Sequence, residues 1–120
     1  MKFIYSSRTG NTEAFIKKLD IDAMKITNEN EIISEPFILF TYTDGHGIVP
    51  KVVDKFLQKN KENIKGVIAT GNKDRHADTF CFAGNIISKE YNVPCLYKVH
   101  SQGNEEDIQA LQDIIKNIIE

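Results

Sequence analysis

Residues 3–19 read FIYSSRTGNTEAFIKKL, and this stretch decides the fold. The apolar run at 3–5 is typical of a short strand, and the apolar spacing at 13–19 is that of an amphipathic helix. Between them lies a turn that is rich in hydroxyl side chains and contains Gly10. The N–H groups and partial positive charge of a helix N-terminus favour a bound anion, and Ser and Thr hydroxyls add hydrogen-bond donors. The stretch therefore predicts a strand, a turn and a helix that together hold a phosphate monoester.

Strand and helix patterns alternate along the whole chain. Five short apolar runs predict strands, at 2–6, 22–26, 36–42, 65–70 and 94–99. Four amphipathic stretches predict helices, near 12–19, 50–60, 79–91 and 104–119. Residues 37–40 are all apolar, as expected for a parallel strand that is buried on both faces. The alternation predicts an α/β fold, with an open doubly wound parallel sheet of strand order 2-1-3-4-5 and helices on both faces.

Two local signals refine this topology. The connection at 27–35, between the second and third strands, has only nine residues. A crossover helix barely fits in that length, so we expect a short or irregular segment. Before the last helix, Asn104 is followed by three acidic residues, which predicts that Asn104 is the N-cap of that helix.

The composition is that of a soluble globular protein. With 120 residues, of which 41% are hydrophobic and 27% charged, the chain suits one domain that spans 1–120. No apolar run approaches the roughly 20 residues that cross a bilayer, and the N-terminus lacks the pattern of a signal peptide. We therefore expect a cytoplasmic protein without a membrane partner. The net charge of −2, with Lys and Arg scattered, argues against a nucleic-acid partner.

Neither a metal site nor a nucleophilic cysteine is favoured by the sequence. Cys81 and Cys95 have apolar neighbours and no metal-ligand spacing, so we expect free thiols that act as small hydrophobic side chains. The three histidines, His46, His76 and His100, lie in separate segments, and no two of them have the spacing of metal ligands. We therefore expect no metal centre.

The predicted topology places a ligand pocket where the strand order reverses. In such sheets the ligand lies beyond the carboxyl ends of the strands at that point, here between the first and third strands. The loops that border it are 6–12, 42–49 and 71–78, and all three are rich in Gly, Asn, Asp, Ser or Thr. We therefore expect these three loops to line one pocket.

Each loop also has a purely structural interpretation. The first loop lacks the spacing and the Lys of a nucleoside-triphosphate loop, which favours a monophosphate, but Thr12 is alternatively only a helix cap. In the second loop, Tyr42 either contacts a ring or packs against a helix, and the glycines that follow are alternatively those of a flexible turn. In the third, Gly71 and Asn72 can present backbone groups to a heteroaromatic ring, whereas Asp78 suits a helix N-cap.

Several blocks of the chain resemble a known family. The segment SRTGNT at 7–12 is similar to the loop that binds the phosphate of FMN in flavodoxins. The blocks VPKVV at 49–53, GVIATGN at 66–72, AGNIIS at 83–88 and NVPCLY at 92–97 resemble the NrdI family, the flavodoxin-like partner of class Ib ribonucleotide reductase. A flavodoxin is usually longer and often stacks a Trp on the flavin, whereas this chain has no Trp.

The resemblance implies a flavodoxin-like fold, FMN as the cofactor and a specific role. An NrdI protein reduces dioxygen at its flavin and supplies superoxide or peroxide to the NrdF subunit, where the oxidant serves assembly of the dimanganese-tyrosyl radical cofactor. The chain is then an accessory flavoprotein with oxygen-reducing activity rather than a stand-alone metabolic enzyme, and it needs an electron donor that the sequence does not identify.

The resemblance also implies which residues bind FMN. The phosphate would be held by the first loop, that is by Ser6, Ser7, Arg8, Thr9, Gly10, Asn11 and Thr12. One side of the isoalloxazine ring would be bordered by Thr41, Tyr42, Thr43, Asp44 and Gly45. The other side would be bordered by Gly71 and Asn72, together with Asp78, Phe80 and Cys81.

This chain departs from the family pattern in the loops that would tune the flavin. The segment 73–77, KDRHA, replaces an aromatic-Gly pair that is common in relatives and is about one residue longer. The Asp44 carboxylate would disfavour negative charge on the reduced flavin, whereas a protonated His76 would favour it. Because Gly45 adopts positive φ at little cost, we expect the Asp44–Gly45 peptide to reorient on reduction.

Three other functions are compatible with the same fold. An electron-transfer flavodoxin that serves another reductase would also bind FMN. A receiver-type signalling domain needs acidic residues at the end of the first strand, where this chain has Tyr5, Ser6 and Ser7. A scaffold that only binds a partner protein would be colourless when purified.

Overall fold

The structure, a computed structural model, describes residues 1–8, 10–43, 48–71 and 81–119. Strands and helices alternate along the chain, as predicted. In chain order they are β1 (Lys2–Tyr5), α1 (Asn11–Leu19), β2 (Ala23–Lys25), β3 (Phe37–Tyr42), α2 (Lys51–Asn60), β4 (Ile64–Gly71), α3 (Phe82–Tyr91), β5 (Cys95–His100) and α4 (Glu105–Ile119).

The five strands form one parallel sheet of order β2-β1-β3-β4-β5, which confirms the predicted topology. β1 lies between β2 and β3, and Tyr5 at its end is paired with Lys25 on one side and Phe40 on the other. The chain leaves β1 towards one edge of the sheet and leaves β3 towards the other. The carboxyl ends of β1 and β3 therefore border the crevice in which sheets of this type bind ligands.

β3 is buried on both faces because helices cover both sides of the sheet. Ile38 and Phe40 belong to the hydrophobic core on the side of α1 and α4. Phe37 and Leu39 belong to the core on the side of α2 and α3, where the rings of Phe37 and Phe56 are 5.9 Å apart. The alternation of side chains along a strand thus explains the continuous apolar run.

The short connection after β2 contains no helix, as predicted, and side-chain amides satisfy its backbone instead. Asn60, which is buried, accepts a hydrogen bond from the N–H of Ile33 at 2.7 Å and donates to the carbonyl of Glu31 at 2.9 Å. Asn63 donates to the carbonyl of Ile33 at 2.8 Å. Since buried backbone groups need partners, these amides do for 27–36 what internal hydrogen bonds do for a helix.

The start of α4 has a reciprocal cap, which confirms Asn104 as the N-cap. The side chain of Asn104 accepts from the N–H of Asp107 at 2.9 Å, and the side chain of Asp107 accepts from the N–H of Asn104 at 3.0 Å. The hydroxyl of Tyr97 on β5 donates to Asp107 at 2.7 Å, and this bond raises the pKa of Tyr97.

Of the helices in the described part of the chain, none is both long and apolar enough to span a membrane.

Candidate functional site

Buried hydroxyl groups collect at the carboxyl ends of the strands. The buried polar side chains of the described residues are Ser6, Thr12, Thr41, Asn60 and Thr70. Asn60 bonds to the connection after β2. Of the other four, Ser6 directly follows β1, Thr12 lies in the first turn of α1, and Thr41 and Thr70 lie near the ends of β3 and β4. Because a buried hydroxyl is unfavourable unless it is bonded, such a concentration is expected where the polar groups have a use. It lies at the crevice that the strand order predicts for a ligand.

The turn after β1 presents backbone donors. The N–H of Ser6 donates to the carbonyl of Phe40 at 3.0 Å, which ties the start of the turn to β3. Gly10, with φ of +92°, is the N-cap of α1, and no side chain caps the helix from that position. The first intrahelical bond runs from the N–H of Ala14 to the carbonyl of Gly10 at 2.9 Å. The N–H groups at 11–13 therefore precede the first helical bond and need other acceptors.

One of these donors has a side-chain partner. The hydroxyl of Ser7 accepts from the N–H of Glu13 at 3.4 Å. Thr12, by contrast, directs its hydroxyl to that of Thr70, and the two oxygens are 2.9 Å apart. The alternative in which Thr12 is only the helix cap is therefore wrong. The N–H groups of Asn11 and Thr12 also precede the first helical bond and lie at the helix N-terminus.

Thr70 connects the three predicted loops, and the sequence reasoning missed it. Its hydroxyl bonds to Thr12 in α1, and its carbonyl accepts from the N–H of Thr43 at 3.2 Å. The neighbouring carbonyl of Gly71 accepts from the N–H of Ser101 at 2.8 Å, on the side of β5. A signal was present: a hydroxyl residue ends the otherwise apolar run of β4, and the strand ends at the predicted pocket.

Two threonine hydroxyls are buried at the end of β3 and directly after it. Thr41, fully buried, donates to the carbonyl of Tyr42 at 2.9 Å. The hydroxyl oxygen of Thr43 is also buried, but it has no hydrogen-bond partner in the described part of the chain. Buried polar atoms almost always have a partner, so this hydroxyl is a candidate contact for a polar ligand.

Arg8 brings the first loop to the second. The central carbon of its guanidinium group is 5.6 Å from the centre of the Tyr42 ring, within the range of a cation–π contact. Arg8 is exposed and Tyr42 is half-buried. The predicted phosphate loop and the predicted ring-binding segment therefore lie side by side and place a positive charge at their junction.

Cys81 has its thiol in the core. Its Sγ is 3.4 Å from the carbonyl oxygen of Ala69 and 3.8 Å from that of Val99, and the residue is fully buried. With φ of +57° it occupies the N-cap position of α3, so the helix begins at Phe82 rather than at 79. The structure thus has Cys81 as the cap of α3, while Asp78, for which the sequence allowed a capping role, lies outside the described residues. The carbonyl of Cys81 accepts from the N–H of Gly84 at 3.0 Å, within the first turn of α3.

The carboxylate of Glu13, although it belongs to the first turn of α1, is held on the side of β2. It accepts from the hydroxyl of Tyr5 at 3.0 Å, and the amino group of Lys25 is 3.9 Å away. Burial, and then the bond to Glu13, raise the pKa of the Tyr5 hydroxyl. The nearest acidic side chain of α1 therefore has its own partners, which reduces its repulsion of an anion at the helix N-terminus.

The two cysteines are not linked to each other. Cys81 and Cys95 are free thiols, as predicted, and burial raises the pKa of Cys95, which favours the unreactive thiol form. Within the described ranges, no three His, Cys, Asp or Glu side chains are grouped so that they could hold a metal ion. Several predicted site residues lie outside the described residues, namely Thr9, Asp44, Gly45, Asn72, His76, Asp78 and Phe80.

The chain matches one family and shares its fold with several solved structures. The model of the family described as NrdI flavodoxin-like matches residues 3–113. Oxidised flavodoxin 1 from Bacillus cereus aligns with a TM-score of 0.73 and 18% identity, over 98% of this chain and 95% of that one. A short-chain flavodoxin associated with a non-canonical PDU bacterial microcompartment aligns with a TM-score of 0.73 and 16% identity, again over 98% of this chain and 95% of that one. A flavodoxin from Fusobacterium nucleatum, bound to flavin mononucleotide, aligns with a TM-score of 0.61 and 18% identity, with the same coverage of both chains. These likenesses confirm the predicted flavodoxin-like fold.

Proposed function

The chain belongs to the NrdI flavodoxin-like family, and from this premise we propose that it is an FMN-dependent redox protein of class Ib ribonucleotide reductase. In this proposal it reduces dioxygen and supplies superoxide or peroxide to the NrdF subunit for assembly of the dimanganese-tyrosyl radical cofactor. It acts as a cytoplasmic accessory flavoprotein of one domain, 1–120, and receives electrons from a donor that is not identified. It has no nucleic-acid or membrane partner.

One observation carries the FMN assignment, namely the set of hydrogen-bond donors at the start of α1. The N–H groups of Asn11 and Thr12 precede the first helical bond, and the helix N-terminus adds partial positive charge. The hydroxyl of Thr12 and the cation of Arg8 belong to the same segment. This donor set suits the dianionic phosphate of FMN, since charge-assisted hydrogen bonds to phosphate are among the strongest that proteins make.

The segment beyond the phosphate loop suits the ring system. The hydroxyl of Thr43 is buried without a partner in the described residues, and a polar edge of the isoalloxazine would satisfy it. Tyr42 offers a half-buried aromatic ring beside Arg8. Gly71 ends β4, and its carbonyl accepts from the N–H of Ser101 on the side of β5. The described residues therefore fit FMN.

The protein's part in the chemistry is to bind, orient and tune the cofactor. When bound, FMN supplies one- and two-electron transfer, including transfer to dioxygen. Thr12 and Arg8 hold the phosphate and so set the position of the ring. We assign tuning to Asp44, Gly45 and His76: a carboxylate and an ionisable imidazole change the local charge in different directions, and glycine allows the peptide between Asp44 and Gly45 to reorient at little cost.

Two measurements test the proposal. The purified protein, titrated with FMN, should quench the fluorescence of the flavin and show its visible absorption bands in a one-to-one complex. The reduced complex should then consume oxygen and activate a manganese-loaded NrdF. The variant Thr9→Ala/Thr12→Ala should bind FMN at least tenfold more weakly, because each change removes a charge-assisted bond worth about 1.5–3 kcal/mol. A protein that does not bind FMN, or a double variant with unchanged affinity, would contradict the assignment.

The likeness to flavodoxins supports one alternative, an electron-transfer flavodoxin for another reductase. That protein would bind FMN equally well, and its reduced form would pass electrons to a protein acceptor but leave a manganese-loaded NrdF inactive under oxygen. Activation of NrdF therefore separates the two functions.

A further inference from the structure

Two buried threonines, Thr12 and Thr70, link the start of α1 to the end of β4. Thr12 is 1% exposed and Thr70 is 2% exposed, and their hydroxyl oxygens are 2.9 Å apart although the residues are 58 positions apart in sequence. Thr70 lies in β4 and is further fixed because its carbonyl accepts from the N–H of Thr43. The pair thus joins α1, β4 and the residue that follows β3.

A pair of hydroxyl groups shares only one hydrogen. Each hydroxyl has one hydrogen to donate and two lone pairs, so the second hydrogen of the pair is left for another acceptor. Either oxygen can be the donor within the pair. Thr12 is the member that belongs to the first turn of α1, together with the N–H groups that lack helical acceptors. A phosphate oxygen at the helix N-terminus is an acceptor for its hydrogen.

We propose that Thr70 is a positioning residue for phosphate binding: it donates to Thr12 and thereby directs the hydrogen of the Thr12 hydroxyl to the phosphate. The inference rests on the proposed function, because it assumes that the phosphate of FMN binds at the start of α1. Thr70 acts through Thr12 and not by contact with the phosphate. Its hydrogen bond also strengthens that of Thr12, since a hydroxyl that accepts a bond is a better donor.

The test compares FMN with riboflavin, which has the same ring system but no phosphate. Dissociation constants for both ligands are measured by quenching of flavin fluorescence for the wild type, Thr70→Val, Thr70→Ser, Thr12→Val and the double variant Thr12→Val/Thr70→Val. Val keeps the shape of Thr but lacks the hydroxyl, and Ser keeps the hydroxyl. Thr70→Ala, which also lacks the hydroxyl, replaces Thr70→Val if that variant does not fold.

We expect Thr70→Val to weaken FMN binding about five- to tenfold and to leave riboflavin binding unchanged. Thr70→Ser should bind FMN within about twofold of the wild type, as expected if only the hydroxyl matters. The double variant should bind FMN no more weakly than Thr12→Val, because without the Thr12 hydroxyl the donor at Thr70 has nothing to direct.

Other results would overturn the inference. If Thr70→Val weakens FMN and riboflavin equally, or adds its full effect to that of Thr12→Val, then Thr70 supports the fold or the ring and not the phosphate. Unchanged FMN binding by Thr70→Val would likewise exclude the role, while the wild-type titration would leave the proposed function standing. A wild type that binds neither flavin would overturn both.

Discussion

The hydroxyl of Thr43 should lower the stability of the free protein and raise its affinity for FMN. In the free protein its oxygen is buried and lacks a partner among the described residues. Leaving a buried hydroxyl unbonded costs about 1–3 kcal/mol, and the lower end applies here because the residue as a whole is only partly buried. Thr43→Val, which keeps the shape and removes the hydroxyl, should therefore raise the free energy of unfolding of the apoprotein by about 1 kcal/mol.

Binding of FMN should offset this gain. If the Thr43 hydroxyl bonds to the ligand, Thr43→Val loses one neutral hydrogen bond, worth about 1 kcal/mol. The dissociation constant for FMN should then rise about fivefold. A variant that is more stable without ligand and binds it less well is expected of a residue selected for binding.

Thr41→Val is the matched control for stability. Thr41 lies two residues earlier in β3, is fully buried, and already donates to the carbonyl of Tyr42 at 2.9 Å. Its loss should lower the free energy of unfolding of the apoprotein by about 1 kcal/mol, opposite in sign to Thr43→Val. Urea denaturation of the apoproteins and fluorescence titration with FMN measure the two quantities. If Thr43→Val destabilises the apoprotein as Thr41→Val does, or binds FMN like the wild type, the reasoning is refuted.

Three further predictions concern the scaffold of the site. A Cβ at Gly84 would lie 2.9 Å from the Cβ of Ala69, so Gly84→Ala should lower the free energy of unfolding by about 1–2 kcal/mol in urea denaturation. Adding Ala69→Gly to this variant should recover part of the loss. A Gly84→Ala variant as stable as the wild type would show that α3 can move away from β4 freely. Asn60→Ala should lower the free energy of unfolding by about 2–4 kcal/mol, because it leaves the N–H of Ile33 and the other backbone partners of the amide unbonded. Equal urea midpoints of the variant and the wild type would contradict this. Burial raises the pKa of Tyr91 to about 12, so its unfolded form ionises first as the pH rises. The contribution of neutral Tyr91 to the free energy of unfolding is complete below about pH 10 and is lost between about pH 10 and 12. Over that range the urea midpoint of Tyr91→Phe should therefore fall less steeply than that of the wild type. Parallel curves of urea midpoint against pH would exclude Tyr91 as a contributor.

The course of the chain was predictable because its signals are local. The run at 37–40 predicted β3, and the nine residues at 27–35 left barely enough room for a helix, which predicted a short or irregular segment; both expectations are confirmed. The start of α3 was predicted three residues early because Asp78 is a good N-cap residue by type. The structure instead has Cys81 at the cap in a left-handed conformation, with its thiol in the core. Side-chain type indicates which residues can cap a helix, whereas packing decides which one does.

By itself, the sequence determined the strand–turn–helix unit at 3–19, the alternation that makes a doubly wound sheet, and the motifs of the family. These depend on periodicity, turn chemistry and spacing, which are properties of neighbouring residues. Only the tertiary structure decided that Thr12 pairs with Thr70, and that Thr43 has a buried hydroxyl without a partner in the described residues. The physical reason is that a buried polar group is satisfied, or left unsatisfied, by whatever the fold packs against it, and those partners come from distant parts of the chain.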